Sequence, residues 1–272
     1  MVKKMLFKQY LMIALLMAIS HGAFSQHEHY LATRIKPGDI CYLDGGGQER
    51  FIGYRDWDSS NPPGEVVGVV FFTYYGVRPP ATEGEKAWYG WIISLEESGE
   101  CAWAPTHSIC YNTCVAQYAV EGIYTQWNPN HVQKLNALAD TCGWQNTYRI
   151  LEYIYTGNGA VLSDDTSPVL RYVFAEKNGV TDFSAKPVMH NKSWYLPSLG
   201  QLRLAYDEIG AVNMALAACG GTLLSESASW YSSTELDNSS NSVWAISGNG
   251  VCPYSNYAKK HIARNVRAVR NF

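Results

Sequence analysis

From Ile35 onward the chain alternates short β-branched and aromatic runs with turn-forming clusters. Gly38 to Leu43 predicts a short strand ended by Gly45-Gly46-Gly47. Val66 to Tyr75 is apolar almost without a break, the mark of a strand buried on both faces. Trp88 to Leu95 is another such run and closes on Glu96-Glu97-Ser98-Gly99. Three segments switch to helical spacing. His131 to Cys142 places Val132, Leu135, Leu138 and Ala139 on one face, with Gly143 as the stop. Pro168 to Lys177 opens on a proline and ends at Asn178-Gly179. The third starts at Ser198, an N-cap with Gln201 three residues on, which is a capping box. Its apolar face runs through Leu199, Leu202, Tyr206 and Ile209 to Met214, Leu216 and Ala217; Gly210 interrupts it and Gly220-Gly221 stops it. Trp230 to Ser233, Val243 to Ser247 and Asn265 to Arg270 return to strands, joined by loops of Asn, Ser, Gly and Tyr. Strands with segregated helices predict an α+β fold of short antiparallel strands and two to three helices.

The first 25 residues follow a different rule. Lys3, Lys4 and Lys8 precede a short apolar run, Leu11 to Ile19, and Ala23-Phe24-Ser25 offers small residues at a cleavage position. This is the pattern of a secretory signal peptide over residues 1–25, leaving 26–272 as one exported domain. The run falls short of the roughly 20 apolar residues a membrane span needs, and later apolar runs are broken by charges, Gly and Pro. The expected location is the periplasm, the cell surface or the medium. Of 272 residues 17% are charged and 13% aromatic, including 19 Tyr and 9 Trp, which excludes a disordered or fibrous chain. The net charge of −3 becomes more acidic once the lysine-bearing leader is removed. Nucleic acid and an anionic membrane are therefore poor partners.

Chemistry-bearing motifs are sparse. There is no His-Glu-x-x-His, Cys-x-x-Cys, Gly-x-Ser-x-Gly or phosphate-binding glycine loop. His107, Cys110 and Cys114 match no standard zinc spacing, and Asp56-x-Asp58-x-Ser60 lacks the rest of a calcium loop, so it reads as a solvated turn. No catalytic residue, metal or cofactor is expected. The seven cysteines are an odd number, so at least one is free or pairs between chains. Cys101, Cys110, Cys114 and Cys142 cluster in sequence; export permits disulfides among them, and burial as small apolar residues is the other reading.

Beyond residue 230 the loops take on a recognition-like composition. Asn238-Ser239-Ser240-Asn241, Ser247-Gly248-Asn249-Gly250 and Pro253 to Tyr257 alternate with anchored positions such as Trp244 and Ile246. Tyr supplies rigid contact area and Ser and Asn adaptable hydrogen bonds, though the same residues dominate ordinary hairpin turns.

The segment Trp194 to Leu202, WYLPSLGQL, resembles the W-x-L-P-[ST]-x-x-[EQ]-L signature of C-type-lectin-like domains of the Lcl C-terminal type, found in exported bacterial surface proteins and akin to sulfatase-modifying factors. Trp230 to Glu235, Val243-Trp244 and Val266 to Arg270 are similar to later elements of that family, and Gly38-Asp39-Ile40, Gly68 to Phe72 and Gly90 to Leu95 to its opening strands. The resemblance implies a C-type-lectin-like fold over nearly the whole mature chain, with Trp194 and Trp230 in the core and Arg267 and Arg270 paired with acids such as Glu235. The calcium-binding motifs of true C-type lectins are absent. Some domains of this type are targets of diversity-generating retroelements, which randomise Asn codons. The stretch 237–265 is rich in the residues such codons become, so a diversified ligand face is one reading.

Together these features predict non-catalytic recognition or adhesion of a protein or glycan at the cell surface. The expected contact residues, in a tail of about 230–272, are Asn238, Ser240, Asn241, Asn249, Tyr254, Asn256, Tyr257 and His261, with the two tyrosines as anchors. Two rivals stand beside this: a sulfatase-modifying-type enzyme using a thiol pair such as Cys219 and Cys252, and a structural subunit of a surface assembly.

Overall fold

A computed structural model describes residues 34–76, 87–113, 137–225, 227–236, 241–248 and 253–272. Eight strands form one mixed sheet: β1 (Asp39–Leu43), β2 (Glu49–Gly53), β3 (Glu65–Gly76), β4 (Ala87–Cys101), β5 (Ser229–Glu235), β6 (Ser242–Gly248), β7 (Pro253–Lys259) and β8 (Arg264–Asn271), in the order β2-β1-β3-β4-β8-β5-β6-β7. Neighbours are antiparallel except β5 and β8, which run parallel at Trp230 and Asn265. The helices are short: α1 (Gly143–Glu152), α2 (Pro168–Tyr172), α3 (Leu199–Asp207) and α4 (Ile209–Ala218).

Strands β5, β6 and β8 are buried on both faces, and alternate residues feed two cores. Trp230, Trp244, Ile246 and Val269 pack with Leu199, Leu202, Ala205, Val212 and Leu216 of α3 and α4. Tyr231, Val243, Ala245, Val266 and Ala268 pack with Ile150, Leu151, Val169 and Leu170 of α1 and α2. A sheet covered on both sides reads in sequence as unbroken apolar runs. That is why the period of two is faint in this chain.

The expected α+β, C-type-lectin-like fold with a few short antiparallel strands is corrected here. A single eight-stranded sheet organises the described residues, and its helices are covering elements of 5–10 residues. Two strands were hidden because their residues mimic loops: β2 is a polar hairpin partner, ERFIG, and β7 reads PYSNYAK. A third misreading concerns Gly143, expected to stop a helix at 131–142. Residues 131–136 lie outside the described residues, and Gly143 instead begins α1. A side chain there would stand 2.3 Å from Gln201 Oε1 and 2.7 Å from the Ser198 nitrogen. The glycine is present for close approach of α1 to α3.

Other local signals held. Ser198 and Gln201 form the capping box, with the Ser198 N–H donating to Gln201 Oε1 at 3.0 Å. Helices α1 and α2 each run on into a π-helical turn, at Tyr153–Gly157 and Val173–Lys177. Each then ends on Asn-Gly. Asn158 Nδ2 donates to the Tyr153 carbonyl and Asn178 Nδ2 to the Val173 carbonyl, satisfying acceptors that the helix end leaves open. Gly159 and Gly179 follow with φ of 60° and 66°.

Trp230 is buried as expected, whereas Trp194 is half-buried beneath the Arg270 guanidinium, 5.5 Å from its ring. The arginines were expected to pair with acids such as Glu235: Arg270 does pair with an acid, Glu49, whereas Arg267 meets backbone carbonyls and Glu235 bonds Lys260. The cysteines Cys41, Cys101, Cys110, Cys142 and Cys219 are free thiols, so no disulfide forms among the described residues; Cys114 and Cys252 lie outside them.

Candidate functional site

Of the eight expected contact residues, the structure describes the side chains of Asn241 and His261. Asn238, Ser240 and Asn249 lie outside the described residues. Asn241 is a structural turn: its Oδ1 accepts from Lys259 Nζ at 2.6 Å and Ser242 Oγ at 3.1 Å, and its carbonyl accepts the Lys260 N–H at 2.9 Å. Tyr254, Asn256 and Tyr257 belong to β7, a sheet edge, at register positions opposite Ser247, Ala245 and Trp244. Three residues apart, the two tyrosines occupy strand positions of opposite parity. His261 is exposed, with Nδ1 2.9 Å from the Tyr111 hydroxyl and the two rings edge-on.

Behind this tail lies a closed polar centre. Lys260 is fully buried, and its three protons are all engaged: the carbonyls of Cys110 at 2.8 Å and Thr113 at 2.6 Å, and Oε1 of buried Glu235. The ammonium also lies 4.4 Å from the Trp103 ring. Arg267, also buried, donates to the carbonyls of Ser94 (2.9 Å), Leu95 (2.7 Å) and Thr222 (2.5 Å). Burial pushes its pKa down, against the charge of nearby Glu97. These cations tie strands and loops together.

The open site is elsewhere. A groove of about 590 Å³ runs where the outer ends of β3 and β4 meet the last residues of β8 and the start of α1. Its floor is Phe72, Tyr74, Tyr89, Gly90 and Trp91, with Asn271 and Phe272; its wall is Thr141, Cys142, Trp144 and Gln145, with Asn191 and Tyr195 completing it. Phe72 and Trp91 stack with centroids 4.6 Å apart, and Phe272 packs on Phe51 at 4.8 Å. Gly90 permits this, since a side chain there would meet the Phe72 carbonyl at 2.0 Å and the Phe272 ring at 2.7 Å.

The wall is held by Asp140, which is buried. Its Oδ1 accepts the Cys142 N–H at 2.8 Å, while Oδ2 accepts Asn146 Nδ2 at 3.0 Å and Thr234 Oγ1 at 2.7 Å. Its carbonyl accepts Ser198 Oγ at 2.6 Å and the Gly200 N–H at 2.9 Å. One residue thus fixes α1, α3 and β5 together and sets the position of Trp144. On the floor, Tyr195 donates to Asn271 Oδ1 and accepts from Gln201 Nε2, both at 2.9 Å, and burial pushes the Tyr195 pKa up. Trp144 Nε1 donates to the His190 carbonyl at 3.2 Å, and its ring stacks parallel on Tyr148 at 5.6 Å.

Sequence reasoning missed this groove because its residues come from positions 72–91, 141–145, 191–195 and 271–272. The signal that existed was an excess of aromatics at strand ends, where Tyr74 remains 52% exposed. No group of three or more His, Cys, Asp and Glu able to hold a metal occurs among the described residues. Cys219 Sγ is turned onto its own helix, 3.1 Å from the Ala215 carbonyl. Asp58 Oδ1 accepts from the Ser60 backbone and hydroxyl, as a solvated turn does. No helix among the described residues is long and apolar enough to cross a membrane.

Fold and site together define a sheet-rich domain, helix-covered on both faces of its C-terminal half, with an aromatic groove at one end. The crystal structure of a fimbrial protein from Bacteroides ovatus is similar to this chain, with a TM-score of 0.58 and 16% identity over 87% of this chain and 48% of that one. The chain therefore spans about half the length of that protein. At this identity the likeness speaks for the fold, and a sheet-rich fimbrial neighbour is the second ground for setting the lectin-like architecture aside. No family model matches the chain, and no curated protein matches it.

Proposed function

We propose that this protein is a non-catalytic, exported subunit of a cell-surface assembly. The observation that carries this reading is the shared sheet architecture with a fimbrial protein over 87% of the chain. The leader-like residues 1–25 are consistent with it, as export is the first requirement of such a subunit. The described functional groups fit a structural role: the buried Lys260 ammonium is held by Glu235 and two backbone carbonyls within the domain, and the described thiols are unpaired and pushed up in pKa by burial. Sheet edges at β2 and β7 are the surfaces through which strands of other subunits would add. The test is immunogold labelling of intact source cells, followed by shearing and fractionation of surface material. Label on the surface, with the chain recovered in high-molecular-mass fibres, is expected. A chain confined to the cell interior, or recovered only as a monomer, rejects the reading.

A further inference from the structure

We propose that the aromatic groove between the β3–β4 ends and α1 binds a neutral saccharide. The assignment is independent of the assembly reading, because it rests on the groove's own chemistry. First, the lining contains aromatic rings on both sides, with Trp91 and Phe72 in the floor and Trp144 in the wall. Flat apolar faces of this kind suit the C–H faces of a pyranose ring. Second, none of the lining residues is Asp, Glu, Lys, Arg or His. An anionic or cationic ligand would enter without a counter-charge, at a desolvation cost that nothing offsets. Third, hydrogen-bonding capacity is left over. The side chains of Thr141, Gln145 and Asn191 line the groove and make no hydrogen bond to the described residues, whereas Asn271 and Tyr195 are held by partners. Two amides and a hydroxyl with free donors and acceptors, set among rings, match a ligand bearing many hydroxyls and no charge.

The wall continues past Trp144. Tyr148 stacks parallel on it and, with Gln145, Arg149 and Glu152, lines a second depression of about 260 Å³ that shares Trp144 and Gln145 with the first and, unlike it, carries one charge of each sign. Two adjoining depressions joined through Trp144 and Gln145 suit an oligosaccharide of several residues better than a single sugar. The rigidity supplied by Asp140 keeps the wall in place before the ligand arrives, which lowers the ordering cost of binding.

The experiment is calorimetric titration of the full mature chain with cellotetraose, maltotetraose and the tetramer of N-acetylglucosamine. A sulfated tetrasaccharide and an aromatic-rich nonapeptide serve as comparison ligands. Saturable binding of at least one neutral oligosaccharide is expected, weakened at least 10-fold by Trp144→Ala and at least threefold by Gln145→Ala, with circular dichroism melts that keep a cooperative transition. Trp144→Phe, which keeps a ring in the wall, is expected to retain most of the affinity. The proposal is overturned if none of the neutral oligosaccharides binds at millimolar concentration. It is equally overturned if binding survives Trp144→Ala and Gln145→Ala, or if the sulfated sugar or the peptide is preferred. A chain that binds sugar yet never enters a surface fibre keeps this inference and loses the assembly reading; a fibre subunit without sugar binding does the reverse.

Discussion

Two polar-aromatic regions of this molecule are built from similar residues and do opposite things. Around Lys260, a tryptophan, a carboxylate and two carbonyls close on one ammonium, and water is excluded. In the groove, tryptophans, tyrosines and amides line an open channel, and the amides of Gln145 and Asn191 stay uncommitted among the described residues. The difference is whether the chain satisfies its own polar groups. A buried charge must be satisfied internally, since leaving it alone costs several kcal/mol. A groove facing water has no such obligation, and its spare hydrogen-bonding groups are what a ligand can use.

The contrast predicts a double dissociation between stability and binding. The largest effect is expected at the ion pair: Glu235→Leu leaves the Lys260 charge uncompensated and costs roughly 3–5 kcal/mol in chemical denaturation. Combining it with Lys260→Met returns most of that loss, because the pair is then replaced by apolar volume. A double variant no better than the single one would show that the carbonyl contacts of Cys110 and Thr113, not the carboxylate, hold this centre. Next comes Arg267→Lys, expected to cost about 2–3 kcal/mol despite keeping the charge. A single ammonium cannot reproduce a planar fork reaching three carbonyls from two segments.

The thiols sharpen the same comparison. Cys110 lies in the closed region with its pKa pushed up to about 12, chiefly by burial and then by Glu235. Cys142 lines the groove, and its pKa is raised by burial, then by Asp140. Both are neutral thiols at pH 8, and the reactive thiolate appears only as pH rises toward the raised values. In native alkylation at pH 8 followed by mass spectrometry, Cys142 is expected to label well before Cys110; Cys41, also near 12, behaves like Cys110. Equal labelling would mean that the closed centre opens readily. The smallest effect on stability belongs to the groove, where Gln145→Ala is expected to change the denaturation midpoint by no more than about 0.5 kcal/mol while weakening sugar binding. A large stability loss there would make the wall a packing element first.

Much of the local structure was legible in the chain. The Ser198-Gln201 capping box, the Pro168 start and Asn178-Gly179 stop of the second helix, and the buried runs of β3 and β4 all follow from short-range rules. The helix break fell at Glu208 rather than at Gly210, because the glycine was tolerated in α4. β7 was not legible, since PYSNYAK has the composition of a loop and is a strand only because β6 pairs with it along seven residues. The particular partners of the arginines were not legible for a similar reason, although Arg270 does meet an acid. Nothing in the sequence distinguishes an arginine that meets Glu49 from one that meets carbonyls 172 or 173 positions away.

By itself the sequence determined the leader pattern, the sparse charge, the caps and stops of its helices, and which runs are apolar enough to be interior strands. These depend on residues within a few positions of each other, so the chain carries them explicitly. Only the tertiary structure decided that the strands join into a single sheet covered on both faces in its C-terminal half, that Asp140 fixes one wall, and that aromatics from four distant segments face each other across a groove. Those outcomes depend on which apolar faces meet once solvent is excluded, and a linear order of residues does not contain that information in any local pattern.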